Sequence, residues 1–199
     1  MIVPCDHEGI MAAFKIVKKG GVVVFPTDTV YGIGCDPFNE EAVKMIYKIK
    51  GREGSKQLPV LGFSIFEISK VAVFNELSRR LASKFWPGPL TLILPVKEEK
   101  IARSLCLDKK IAVRMPDNPC VLGLLSKCKL LVGTSANRSG QRPAGNAAEV
   151  VENLDGYDIL LDGGKISNPV ESTIVEVLED KIHLIRKGKI SEKELLALV

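Results

Sequence analysis

The sequence predicts an α/β fold, a twisted open sheet of mixed parallel and antiparallel strands flanked by helices. Three observations point to it. Short apolar runs with strand character recur along the chain, beginning with Val22-Val23-Val24-Phe25. Segments with apolar residues at helical spacing separate the early runs, as crossover connections in a partly parallel sheet require. Late in the chain the pattern changes: strands at 173–178 and 182–186 meet through Glu179-Asp180, a hairpin turn that brings in antiparallel pairing.

Each element has its own signal. Asp6 caps a first helix with Ile10, Phe14 and Val17 on one face, and Gly20-Gly21 stops it. The buried strand 22–25 ends at Pro26. Asn39 caps a second helix, with Val43, Ile46 and Tyr47 inward, that ends near Lys50-Gly51. A strand follows at 58–63. A third helix at 75–85 turns Leu77, Leu81 and Phe85 inward, and Trp86-Pro87-Gly88-Pro89 breaks it. Further strands are expected at 90–96, 111–115, 130–135 and 159–162. Asn146 with Glu149, and Ser191 with Glu194, have capping-box spacing and start two late helices. No repeat, low-complexity tract or polar linker interrupts the chain, so a single domain over 1–199 is expected.

Composition narrows the function classes. A hydrophobic fraction of 46% with 26% charged residues suits a globular chain with a real core. No apolar run approaches the roughly 20 residues of a membrane span, and the first eight residues carry Asp6 and Glu8 with no basic cluster. A cytoplasmic location without membrane partners is therefore expected. The five cysteines are scattered and odd in number, with no C-x-x-C pair, and the histidines are two, His7 and His183. Neither a disulfide framework nor a zinc or iron site is expected. The net charge of +4 suits an anionic ligand such as a nucleotide or RNA.

Polar residues gather where predicted strands end, the usual ligand side of open α/β sheets. Pro26-Thr27-Asp28-Thr29-Val30-Tyr31-Gly32-Ile33-Gly34 follows the first buried strand, and its glycines let a backbone pass close to a ligand. Lys48-Ile49-Lys50-Gly51-Arg52-Glu53-Gly54-Ser55-Lys56 places four cations at a helix end and the following loop. They serve either the helix dipole or a phosphate clamp. Arg114 stands in an apolar strand before Pro116-Asp117 and requires an anionic partner, whether Asp117, another acid or a substrate carboxylate. Gly133-Thr134-Ser135-Ala136-Asn137-Arg138-Ser139-Gly140 presents short donors of the kind that bind phosphate. It is not a Walker A loop, and no dinucleotide fingerprint occurs. Glu171-Ser172-Thr173 and Leu184-Ile185-Arg186-Lys187-Gly188 complete the set. The inventory has no Ser-His-Asp set and no metal cage. It suits electrostatic stabilisation of phosphates better than attack by a protein nucleophile.

In order along the chain, FPTDTVYGIG, KIKGREGSK, WPGPLTLIL, AVRMPDNP, TSANRSG, ESTIV and LIRKG resemble the motifs of the YrdC/TsaC family of threonylcarbamoyl-AMP synthases. The resemblance spans nearly the whole chain and implies a YrdC-like fold with a concave, positively charged face. It implies synthesis of L-threonylcarbamoyl adenylate and pyrophosphate from L-threonine, bicarbonate and ATP, that is, a nucleotidyltransferase. Mg2+ is expected with ATP, held mainly by phosphates, with no metal site on the protein. The product would pass to a tRNA threonylcarbamoyl transferase complex. Carried over by motif, Thr29, Arg114, Gly133 and Ser172 bind threonine. Lys50, Arg52, Lys56, Ser135, Asn137 and Arg186 bind the nucleotide, and Lys50, Arg52 and Ser135 serve catalysis. Gly133-Thr134 stands where many relatives have Ala-Pro, and Leu61-Gly62 where some carry a histidine. The chain resembles the short, single-domain branch. The alternative reading is a double-stranded RNA- or tRNA-binding protein using the same basic face. A further one is an adenylating enzyme for another small polar amino acid.

Overall fold

Four consecutive apolar residues cannot make a strand with one wet face, and residues 22–25 are covered on both sides. In the computed structural model, which describes residues 1–51 and 57–199, Val22 and Val24 pack into one core while Val23 and Phe25 pack into another. Alternate side chains of a strand point to opposite faces, so this short segment serves both cores.

In chain order the strands are β1 (Ile2–Pro4), β2 (Val23–Phe25), β3 (Gly32–Gly34), β4 (Val60–Gly62), β5 (Leu90–Pro95) and β6 (Lys110–Arg114), then β7 (Leu130–Val132), β8 (Thr134–Ser135), β9 (Ile159–Asp162), β10 (Thr173–Leu178) and β11 (Lys181–Arg186). The helices are α1 (His7–Lys18), α2 (Glu40–Lys50), α3 (Ile65–Ile68), α4 (Glu76–Phe85), α5 (Glu99–Ser104), α6 (Pro119–Cys128), α7 (Ala147–Asn153) and α8 (Glu192–Leu196). Among the described residues these strands form two sheets, ordered β1-β9-β2-β3-β8 and β11-β10-β5-β6-β4-β7. Both are mixed. β1, β9 and β2 run parallel and β2, β3 and β8 antiparallel. In the larger sheet β10 pairs β5 and β4 pairs β6 in parallel, and the other ladders are antiparallel.

The mixed α/β character matches the expectation, but one sheet has become two. The predicted strand 130–135 is broken at Gly133: β7 pairs with β4 in one sheet, and β8 pairs with β3 in the other. A Cβ at Gly133 would lie 2.4 Å from the Leu61 side chain, so the crossing between sheets needs glycine. β1, β3, α3, α5 and α6 carry weak or short patterns and were not expected as elements. The glycines around β3 have a structural role of their own. A Cβ at Gly34 would sit 2.0 Å from the Val132 carbonyl oxygen, which shows a close strand approach at this point.

The caps behave as expected. Asp6 accepts from the Gly9 amide and Asn39 from the Ala42 amide. Ser191 and Glu194 form a reciprocal capping box. At α7 the box is incomplete: Asn146 caps the Glu149 amide, but Glu149 turns to the Gly145 amide instead. The expectation of unpaired cysteines fails for two of the five, since Cys5 and Cys120 form a disulfide with Cα atoms 5.7 Å apart. Cys5 precedes α1, Cys120 lies in the first turn of α6, and these helices pack together; a separation of 115 residues leaves no trace in the sequence. No helix among the described residues is long and apolar enough to cross a membrane.

Candidate active site

Arg114, at the end of an apolar strand, and Arg186, half-buried, both line one cleft of about 400 Å³ whose walls come from both sheets. Arg114 ends β6 and is 6% exposed. Its Nη2 donates to Asp28 Oδ1 at 2.5 Å, Nη1 donates to Thr29 Oγ1 at 3.0 Å, and Nε donates to the Gly88 carbonyl at 3.0 Å. Burial pulls its pKa down, the Asp28 charge and hydrogen bond oppose that, and the like charge of Arg186 adds to the lowering. The anionic partner is thus Asp28, not Asp117. Asp117 contributes its amide, which donates to Asp28 Oδ1 at 3.0 Å, while Lys189 donates to the Asp28 carbonyl.

Arg186 ends β11 and is half-buried. Its Nη1 pairs with Glu171 at 2.6 Å, Nη2 donates to Ser172 Oγ at 3.1 Å, and Nε donates to the Ser172 carbonyl at 3.1 Å. Ser172 Oγ lies 2.8 Å from Thr91 Oγ1 on β5. Thr27 Oγ1 and Thr29 Oγ1 make a second buried hydroxyl pair at 2.9 Å.

Lys50, the last residue of α2, is 3% exposed and reaches into the cleft wall. Its ammonium donates to the carbonyls of Ser135 and, at 2.8 Å, Asn137; the Ser139 amide donates back to the Lys50 carbonyl at 2.9 Å. Lys50 therefore fastens the segment 135–139 to the end of α2. Asn137 braces the same segment, its Nδ2 donating to the Arg138 and Gln141 carbonyls, and its Oδ1 is buried with no partner among the described residues. The Gly133 amide is taken by the Pro59 carbonyl at 2.9 Å, so Gly133 offers the cleft a surface and no free N–H.

The fold thus gathers Thr29, Lys50, Arg114, Gly133, Ser135, Asn137, Ser172 and Arg186 around one space, from segments spread over the whole chain. Arg52 and Lys56 lie outside the described residues. Tyr31 does not line the cleft. Its hydroxyl accepts from the Gly163 amide and donates to the Gly164 carbonyl at 2.8 Å, and burial pushes its pKa up to about 12. Thr27 and Glu171, which also line the cleft, belong to the polar clusters read from the sequence but were given no role there, and Thr91 was missed altogether. Its signal was a hydroxyl inside the apolar run Leu90-Thr91-Leu92-Ile93-Leu94.

A cleft with two arginines and paired hydroxyls, and with neither Cys nor His in its described lining, is built to hold anions by fixed donors. The family model Sua5/YciO/YrdC, described as telomere recombination, matches residues 15–188. The threonylcarbamoyl-AMP synthase of Bacillus subtilis is 36% identical over 197 residues, covering 96% of this chain and 56% of its own length. A putative threonylcarbamoyl-AMP synthase of Methanocaldococcus jannaschii is 37% identical over 182 residues, covering 91% of this chain and 86% of its own. The chain therefore spans little more than half the length of the Bacillus relative. The crystal structure of Pyrococcus abyssi Sua5 complexed with L-threonine superimposes with a TM-score of 0.92 at 32% identity, over 100% of this chain and 61% of that one. With the model match running from within α1 to just beyond β11, the chain belongs to the Sua5/YciO/YrdC family.

Proposed function

We propose that this chain condenses L-threonine, bicarbonate and ATP to threonylcarbamoyl adenylate and pyrophosphate. The observation that carries the reading is the convergence of Arg114, Thr29 and Ser172 with Arg186, Ser135 and Asn137 on one cleft. The names of the relatives, and the threonine complex of the Pyrococcus protein, support it. In the reaction, the threonine amine captures bicarbonate as a carbamate with loss of water. A carbamate oxygen then bonds to the α-phosphorus of ATP, and the bond to pyrophosphate breaks. No protein nucleophile is needed.

The residues hold and neutralise. Three of the five guanidinium N–H bonds of Arg114 are taken by the protein, and the others are directed to the amino-acid carboxylate. Arg186 and the 135–139 segment face the nucleotide, with Lys50 keeping that segment in place. Arg52 and Lys56 are proposed to extend the phosphate contacts. Each charge-assisted hydrogen bond contributes about 1.5–3 kcal/mol. Mg2+ is proposed to enter on the phosphates of ATP; of the acids beside the cleft, Asp28 pairs with Arg114 through Oδ1, its Oδ2 being buried without a partner among the described residues, and Glu171 pairs with Arg186. The adenylate would then pass to a separate transferase acting on tRNA. The names of the relatives support the synthase reading and not direct binding of double-stranded RNA or tRNA.

Pyrophosphate release tests the reading. It is expected to require both threonine and bicarbonate, and release that ignores both would overturn it.

A further inference from the structure

Residues 187–190 run from the end of β11 back across the start of β10, and they fit closely there. The Lys189 amide donates to the Glu171 carbonyl at 3.3 Å. The Ile190 amide donates to Thr173 Oγ1 at 2.9 Å, and that hydroxyl donates back to the Ile190 carbonyl at 2.8 Å. A Cβ at Gly188 would lie 2.4 Å from the Glu171 carbonyl oxygen, so the segment lies flat against 171–173. From this base the Lys189 side chain reaches the loop after β2, where its ammonium donates to the Asp28 carbonyl. That carbonyl belongs to the peptide unit joining Asp28 to Thr29. The unit is trans, so its C=O and N–H point in opposite directions. Both are held: on the other side, the Thr29 amide donates to the buried Thr27 Oγ1 at 3.1 Å.

We propose that Lys189 is a positioning residue for the threonine end of the cleft. Its ammonium pins the Asp28–Thr29 peptide from the solvent side, and its backbone ties that peptide to the wall that carries Glu171 and Ser172. The inference rests on the threonine reading and deepens it. Thr27 holds the N–H of the peptide from within, and Lys189 holds the C=O from without. The plane between them sets the Thr29 side chain, whose hydroxyl oxygen is 3.0 Å from Arg114 Nη1 and which lines the cleft. Lys189 also joins the two ion pairs. Its amide is bonded to the residue that pairs with Arg186, and its ammonium to the residue that pairs with Arg114. Lys189 is not part of the described cleft lining, so it acts through Asp28 and Thr29 and not on a substrate.

The test is steady-state pyrophosphate release by wild type, Lys189→Met and Lys189→Arg, with threonine and ATP varied separately at saturating partner substrates. Methionine keeps the apolar stem of lysine and loses the donor. Lys189→Met is expected to raise KM for threonine roughly three- to five-fold, the loss of one hydrogen bond discounted for exposure, with kcat and KM for ATP within about two-fold of wild type. Lys189→Arg restores a cationic donor and is expected to bring the threonine KM back to within about two-fold of wild type. The rise in Lys189→Met should persist at ~0.5 M salt, since salt screens a distant charge but not the placement of a peptide. An unchanged threonine KM in Lys189→Met, or no recovery in Lys189→Arg, would overturn the proposal. So would an equal rise in the ATP KM, or a rise that vanishes in salt, either of which would show that Lys189 only adds charge to the cleft. If Lys189→Met does not fold, Lys189→Ala is read in the same way. A wild-type protein with no threonine-dependent release would sink the functional reading itself, whereas an active wild type with an indifferent Lys189→Met sinks only this inference.

Discussion

Arg114 and Arg186 use the same chemistry at different depths. Each end of the cleft has an arginine paired to a carboxylate and touching a hydroxyl, three ladder steps apart in the larger sheet, roughly 14 Å at the usual strand spacing. The Arg114 and Asp28 side chains are 8% and 14% exposed, while those of Arg186 and Glu171 are 36% and 38% exposed. Water can replace Glu171 if Arg186 turns to a phosphate, so that charge can be redirected at little cost. Water cannot replace Asp28. Removing it would leave a bare guanidinium in the interior. The deep pair is a fixture of the fold, and the shallow pair is one whose charge can be redirected at little cost.

Removing each acid in turn is the most direct way to break this contrast. Asp28→Ala is expected to destabilise the fold by about 3–5 kcal/mol, the usual result of stranding one partner of a buried pair. Glu171→Ala is expected to stay within about 1 kcal/mol of wild type. Urea unfolding measures both, and equal losses would show that depth does not separate the two pairs.

Charge-conserving changes sharpen the comparison at the level of activity. A lysine keeps the charge of Arg114 but cannot make its three divergent hydrogen bonds. Arg114→Lys should therefore lower kcat/KM for threonine roughly ten- to hundred-fold. Arg186→Lys should lower kcat/KM for ATP by less than roughly ten-fold, since half-exposed charge is screened and partly replaced by water. The opposite order would reverse the assignment of fixture and redirected charge.

Ionic strength gives a smaller and independent effect. Between ~0.05 and ~0.5 M salt the Debye length falls roughly three-fold. The difference in ATP KM between wild type and Arg186→Ala should shrink over this range, while the threonine KM difference between wild type and Arg114→Ala should persist.

Depth also governs Tyr31, with the smallest effect at neutral pH. Its folded pKa is raised from 10.0 to about 12, chiefly by burial. The neutral phenol is thus favoured by the fold. Its contribution is fully present below pH 10 and is lost as pH rises from 10 through about 12. Ultraviolet titration of the three tyrosines should show Tyr31 ionising last, with alkaline unfolding setting in over that window. A Tyr31 that ionises with the others would show that its contacts to Gly163 and Gly164 open freely.

Much of this cleft was legible before the structure. Arg114 attracts notice because a cation on an apolar strand is costly without a partner, and Ser135, Asn137 and Ser172 because hydroxyls and amides cluster where strands end. The partner of Arg114 was not legible. Asp117 is three residues away and Asp28 is 86 away, yet the nearer residue supplies only an amide. Lys50 was expected at the site as a phosphate-binding cation, and it does line the cleft. That its ammonium holds the 135–139 carbonyls follows from the way α2 ends beside β8, which no spacing reveals. The break at Gly133 was hidden for a related reason. A run of apolar and hydroxyl residues reads as one strand, and it is the Leu61 side chain, 72 positions earlier, that leaves room only for glycine at the crossing between sheets.

By itself the sequence determined what acts over a few residues: the caps at Asp6, Asn39 and Ser191, the doubly buried strand at 22–25, the hairpin at Glu179-Asp180, and the kinds of side chain available for holding anions. Tertiary structure alone decided the division into two sheets, the disulfide of Cys5 with Cys120, and the pairing of Arg114 with Asp28. The physical reason is range. A cap or a hydrophobic period is satisfied within a turn or a strand, whereas an ion pair between distant residues depends on which segments the sheet ladders bring within about 3 Å of each other.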